Sequence, residues 1–194
     1  MENRFIQSKI HITLIASLLL FGCAHKIRGE KFERPDNLSI QLAKYDDVRS
    51  RVKAKPIERT YIERGKTIHS LTYGFEESTG GQSYYRTMVC YFEGGRLIGY
   101  DYLSSFEGEQ LSFPGFGPDT VNKVEKGKST FSFVITLMQV EPHGVFVYPL
   151  ANNGGKIITY YDTSDKTYFK KLKVTFDSND LVNKIEYDNQ KRYK

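Results

Sequence analysis

The chain has 194 residues, with 28 Lys and Arg against 23 Asp and Glu and a formal net charge of +5. So small an excess of positive charge gives no ground for a nucleic-acid partner, which needs a concentrated basic face. With two cysteines and, as argued below, one of them committed elsewhere, neither a disulfide framework nor a cysteine metal cluster can be built. An apolar core must carry the fold, and 14 Tyr and 13 Phe can furnish it.

Arg4 and Lys9 stand before an uncharged, mostly apolar run from Ile10 to Gly22, the charged and apolar regions of an export signal. The run is shorter than the roughly 20 apolar residues that cross a bilayer, and His11 and Thr13 interrupt it. It is expected to be removed and not to remain as a span. It ends in Leu20-Phe21-Gly22-Cys23, which resembles the bacterial lipobox, where a small residue precedes a cysteine that receives a diacylglycerol before cleavage. The resemblance implies that residues 1–22 are a lipoprotein signal peptide recognised at Leu20 and Gly22, and that Cys23 is the lipid attachment site. The alternative is an ordinary thiol beside an ordinary cleavage site. Each buried methylene contributes about 0.8 kcal/mol, so two or three acyl chains hold firmly where one holds marginally. Ala24, where an Asp would retain the chain at the inner membrane, favours the outer membrane and a periplasm-facing body by resemblance to Gram-negative sorting rules. The mature chain keeps 26 basic against 22 acidic residues. That supports a weak attraction to anionic headgroups, about 1 kcal/mol per basic residue near the surface.

Residues 24–37 are polar and lack an apolar period, so 23–37 reads as a lipidated tether. Leu38, Leu42, Tyr45, Val48 and Val52 then recur at helical spacing until Pro56. Leu71, Tyr73 and Phe75 alternate as strand residues do, and so do Met88, Cys90 and Phe92, with Glu93-Gly94-Gly95-Arg96 as the turn before Leu97. Residues 38–112 are thus predicted to place one helix on a three-stranded meander, and the Pro- and Gly-rich stretch 113–120 to be a linker.

The same order returns over 121–188. Val124, Phe131, Val134 and Met138 take helical spacing, Pro142 is the stop, and Lys156 to Tyr161 is strand-like. Leu172, Val174 and Phe176 alternate, and Asp177-Ser178-Asn179-Asp180 turns into Leu181 and Val182, leaving 189–194 as a tail. Val48 to Val134 and Pro56 to Pro142 are 86 positions apart, while Met88 to Leu172, Phe92 to Phe176 and Leu97 to Leu181 are 84. So steady an offset predicts an α+β fold of two tandem small two-layer modules, each with helix packed on a three-stranded antiparallel sheet. One continuous α+β domain is the alternative.

The stretch Val121 to Ser129, followed by a helix, Pro142, Tyr160-Tyr161 and Lys171 to Val182, resembles the SmpA/OmlA (BamE-like) family of outer-membrane lipoproteins. Gly127 and Ser129 match the glycine and Ser or Thr that open that family's helix, and Phe176-Asp177 matches the turn before its last strand. Val140 stands where the family carries glycine. As a tandem pair the units also resemble the β-lactamase-inhibitor-protein fold, which offers a sheet surface to a protein partner. The resemblance implies an accessory role in outer-membrane assembly or maintenance.

No residue pattern points to catalysis, a cofactor or a metal. His11 leaves with the signal, His25 lies in the tether, and His69 and His143 are isolated in sequence, without the spacing of a metal site. No Gly-x-Ser-x-Gly elbow is present, Cys90 reads as a small core residue, and Gly94-Gly95 and Gly154-Gly155 read as turns. A contrast between the halves is more informative. Outward positions Tyr85, Thr87, Val89 and Tyr91 match Phe169, Lys171, Lys173 and Thr175, so one outer face is aromatic where its copy is solvated. Tyr85, Val89 and Tyr91 are therefore the candidate surface for an envelope protein partner, or else a face buried between the units. The expected function is a non-enzymatic envelope lipoprotein acting as a protein-interaction module. The other readings are a lipid- or small-molecule-binding lipoprotein, which needs an apolar pocket between helix and sheet, and a hydrolase, which needs His69 or His143 beside a serine and a carboxylate.

Overall fold

The alternating segments of both halves enter a single sheet. The structure, a computed structural model, describes residues 26–35, 38–106, 116–152, 154–162 and 168–191. The signal peptide, Leu20, Gly22 and Cys23, and residues 113–115 of the proposed linker lie outside these residues. In chain order the elements are β1 (Lys26–Arg28), α1 (Tyr45–Arg51), β2 (Ile57–Glu63), β3 (Lys66–Thr79), β4 (Gln82–Glu93), β5 (Arg96–Ser104), α2 (Pro118–Val121), α3 (Phe131–Met138), β6 (Gly144–Val147), β7 (Lys156–Asp162), β8 (Tyr168–Phe176) and β9 (Val182–Lys191). All nine strands form one antiparallel sheet in the order β1-β3-β4-β5-β6-β7-β8-β9, with β2 pairing beside β1 on the outer edge of β3. Tight turns at Arg64-Gly65, Gly80-Gly81 and Gly94-Gly95 join β2 to β5, each with two consecutive positive φ angles, the backbone that fits a right-twisted hairpin.

This overturns the expectation of two separate modules, each a helix on a three-stranded sheet. Strand β6, four residues between Pro142 and Pro149, pairs with β5 through Gly99–Phe146, Tyr100–Val145 and Asp101–Gly144, and with β7 on its other side. Left apart, β5 and β7 would each present a row of unpaired amides and carbonyls, and the short strand satisfies both. The apolar side chains follow the same logic. Val48 of α1 and Val52 at its C-cap, with Phe32 and Leu38, cover Leu71, Tyr73, Met88, Cys90, Phe92 and Leu97. On the same face of the sheet Val134 and Met138 of α3, with Phe116 and Val124, cover Ile158, Tyr160, Leu172, Val174, Phe176 and Val182. Val145 of β6 packs against both groups and makes the core continuous.

The similarity of the two halves is nevertheless visible in the backbone. The Tyr45 amide donates to Gly95 O and the Phe131 amide to Asp180 O, both at 3.0 Å. The Gln41 and Gly127 amides donate to Leu97 O and Val182 O, both at 2.7 Å, and the Leu97 and Val182 amides return to Ala43 O and Ser129 O, both at 2.9 Å. A bulge interrupts β4 at Tyr91/Phe92 and β8 at Thr175/Phe176. Leu97 thus corresponds to Val182 and not to Leu181, because the second turn is one residue longer. These connections also shorten the first helix from the predicted start at Leu38. Gln41 takes a φ of 64°, Leu42 is 73% exposed, and α1 begins only at Tyr45. In the second half Thr130 caps α3 by accepting from the Phe133 amide.

The segment read as a tether is largely part of the body. Lys26–Arg28 pairs with Glu76–Ser78 as β1, and the chain then straps across β3, β4 and β5 on the helical face. A Cβ on Gly29 would run into the Gly74 carbonyl. Phe32 is 3% exposed, its ring 5.6 Å from Tyr73. Its carbonyl accepts from buried Arg86, whose guanidinium lies 5.0 to 6.0 Å from the ring centres of Phe32, Phe75 and Phe106. Arg34 covers Tyr100 and Tyr102 at 5.4 and 5.6 Å.

Candidate functional site

All the described helices lie on one face of the sheet, so the other face is where a surface of strand side chains can meet a partner. Pairing register maps that face as rows running across the strands, because directly paired residues point the same way. One row is Thr72, Val89, Asp101, Gly144, Thr159, Lys173 and Glu186. The row beside it is Ser70, Tyr91, Gly99, Phe146, Ile157, Thr175 and Lys184. Thr87 and Tyr85 continue up β4, opposite Gly74 and Glu76 of β3.

Tyr85, Val89 and Tyr91 therefore share the open face as expected, all three partly buried. Tyr91 is covered from within the chain. Its ring lies 5.9 Å from that of Phe146, and the bend after β6 closes over the same corner, where Leu150 approaches Gly99 and the Ala151 carbonyl accepts from Arg64 at 3.0 Å. Burial pushes the Tyr91 hydroxyl pKa up. In the matching strand Lys171 and Lys173 lie on this same face, Lys173 pairing with Glu186 at 3.6 Å.

The seam between the halves adds a cluster that sequence spacing did not reveal. The Asp101 carboxylate accepts from the Tyr161 hydroxyl at 2.7 Å and from Thr159 Oγ1 at 3.3 Å, partners about sixty residues away. Lys171 Nζ stands 5.5 Å from the Tyr161 ring centre. Gly144 makes room for the carboxylate, since a Cβ there would overlap Thr159 Oγ1 and come within 2.7 Å of Asp101 Oδ1. Burial raises the Asp101 pKa against the lowering effect of Tyr161 and Lys171, and burial followed by the Asp101 charge raises that of Tyr161. The cluster is a fixed acceptor with a donor held against it, next to Val89 on the open face.

His143 lies at the same seam toward the helical face. Its Nδ1 accepts from the Tyr161 amide at 3.3 Å, its carbonyl accepts from the Tyr102 amide at 2.9 Å, and its ring meets Tyr160 and Tyr161 edge-on. Burial, then the nearby Arg34 charge, pushes its pKa down to about 4. His69 sits beside Tyr45 on the first half, with Nδ1 3.0 Å from Thr60 Oγ1. Each ring thus spends a nitrogen on the scaffold, and the two stand on different halves. Among the described residues no three His, Cys, Asp or Glu side chains come together as a metal set, and no helix is long and apolar enough to cross a membrane.

Among the described residues, the two apolar clusters pack into the space between helix and sheet, where a lipid or small molecule would have to enter. The depressions near α1 are at the surface, one of about 600 Å³ being lined by Lys31, Phe32, Glu33, Arg34, Pro35, Arg51 and Lys53. Cys90 is fully buried among core side chains, and burial pushes its thiol up to about 12. Comparison with protein-family models, with curated proteins and with solved structures finds no match to this chain, so its functional reading rests on its own residues and geometry.

Proposed function

We propose that this chain is a lipid-anchored envelope protein, held at the periplasmic side of the outer membrane through Cys23, that captures another protein on the open face of its sheet. Outer-membrane assembly or maintenance is the setting that the lipobox and the SmpA/OmlA resemblance suggest. The observation that carries the reading is a helix-free face on which Val89 lies beside the Asp101–Tyr161 cluster and Tyr85 lies further along the same strand. Tyr is among the side chains enriched as anchors of protein interfaces, because it brings large contact area at little entropic cost. Behind it the packed cluster under β3 and β4 keeps those strands from adjusting, so the Tyr85–Val89 part of the surface is pre-organised.

The test is capture from solubilised envelopes by the tagged mature chain, compared with a Tyr85→Ser/Val89→Ser double variant. Tyr91 is left in place because it also packs on Phe146. Loss of an anchor of this kind costs about 2 kcal/mol, roughly a thirtyfold loss of affinity, with the urea midpoint little changed. An envelope protein held by the parent and lost with the variant supports the proposal, whereas identical capture by both sinks it. Anchoring is tested separately: a Cys23→Ser chain should leave the membrane fraction on salt washing.

A further inference from the structure

Resting on that lipid-anchor reading, we infer that the tip of the β3–β4 hairpin is a membrane-docking surface and that the sheet stands on the bilayer with its strands upright. Strand β1 starts at Lys26, opposite Ser78, and runs antiparallel to β3. The N-terminal end of β1 therefore stands two pairing steps from the hairpin tip at Gly80-Gly81. Only three peptide units separate Cys23 from Lys26, a reach of at most about 11 Å. The anchor is therefore not on a long leash. The chain from Lys26 to Pro35 is bound down by the β1 pairing, by Gly29 against Gly74, by Phe32 in the core and by Arg34 on Tyr100.

The chemistry of the tip agrees with that placement. Between Glu77 and Arg86, whose side chain is buried, the hairpin end carries no charged residue, and Tyr84 is of the type enriched where protein meets headgroups. Tyr84 is steadied there by stacking on Phe106 at 5.6 Å and by donating to Gln82 Oε1. The far ends of the same strands are charged. Glu63 pairs with its neighbour Arg64 in the β2–β3 turn, and Lys66 pairs with Glu93 at 3.2 Å beside the β4–β5 turn. With a rise of about 3.4 Å per residue, the twelve residues of β4 hold that charged end roughly 35 to 40 Å from the tip. The occupant of the tip is thus the headgroup layer of the membrane that holds the anchor.

The experiment uses the full lipidated chain, extracted and reconstituted into phosphatidylcholine/phosphatidylglycerol vesicles that carry a nitroxide on the headgroup. Cys90 is buried and Cys23 acylated on this reading, so a fluorophore can be placed at one introduced thiol, Ser83→Cys at the tip or Thr67→Cys at the far end. Both positions are exposed. The expected result is loss of most of the emission at Ser83→Cys and none at Thr67→Cys in protein that floats with the vesicles. Equal quenching at the two sites, or stronger quenching at Thr67→Cys, overturns the upright orientation while leaving the anchor in place. A chain that does not float with vesicles overturns the anchor reading and the docking surface with it.

Discussion

Replacing His143 by Gln should remove most of the acid sensitivity of folding between about pH 6.5 and pH 4. The imidazole is 9% exposed, and burial together with Arg34 lowers its pKa from 6.5 to about 4. In that window the unfolded chain binds a proton that the folded chain refuses, so stability falls as the pH falls and levels off below the folded value. A displacement from 6.5 to about 4 corresponds to about 3 kcal/mol, at ~1.4 kcal/mol per factor of ten. Asp101 acts in the opposite sense. Its pKa is raised, so the folded state takes up the proton first and gains stability on acidification. Comparing variant with parent cancels that contribution, because the replacement side chain would keep an oxygen for the Tyr161 amide without titrating. Urea midpoints of the chain from residue 23, carrying Cys23→Ser, would be measured from about pH 7 to about pH 4.5. The parent should lose about 2 to 3 kcal/mol more than the variant over that range. Parallel losses in the two proteins would refute the argument.

Other expectations concern the strap and the core. Phe32→Ala should cost about 3 to 5 kcal/mol in urea unfolding, the usual loss for a buried phenylalanine; a loss under about 1 kcal/mol would return residues 24–37 to a simple tether. Gly29→Ala should lower the thermal midpoint much more than Gly65→Ala, because both positions have positive φ but only the first Cβ meets backbone. Equal shifts would show that the Gly29–Gly74 approach carries no energy. The Cys90 thiol, pushed up to about 12 by burial, should resist alkylation in the native chain and react only on unfolding; rapid native labelling would contradict the packed core.

Much of the local structure was legible because its signals are local. Alternation at Met88, Cys90 and Phe92 gave inward positions that are fully buried, and Gly94-Gly95 gave the turn. Outward positions on β4 were legible for the same reason, since a strand's side chains change face at every step. The union of the halves was not, because β6 is four residues long between prolines and its pairing partners are remote in sequence. The strap was missed because an irregular segment crossing a sheet has no period, and a single Phe32 in a polar run carries no pattern. Asp101, Tyr161 and His143 escaped for a related reason: their meeting is made by the β5–β6–β7 register, which no short window of sequence contains. The helix start was misplaced because Leu42 fits the apolar spacing, yet Gln41 bends the backbone toward the Gly94-Gly95 hairpin.

The β5–β6 ladder runs only from Gly99 to Asp101, whereas β3 and β4 stay paired from Ile68 to Thr79. A sheet that narrows so abruptly has a crease built into it. Few amide bonds resist flexing there, and Val145 bridges the two apolar masses from within the strand. A protein lying along the row from Val89 to Lys173 would splint that crease, so docking would register as stiffening of the whole sheet even where nothing is touched.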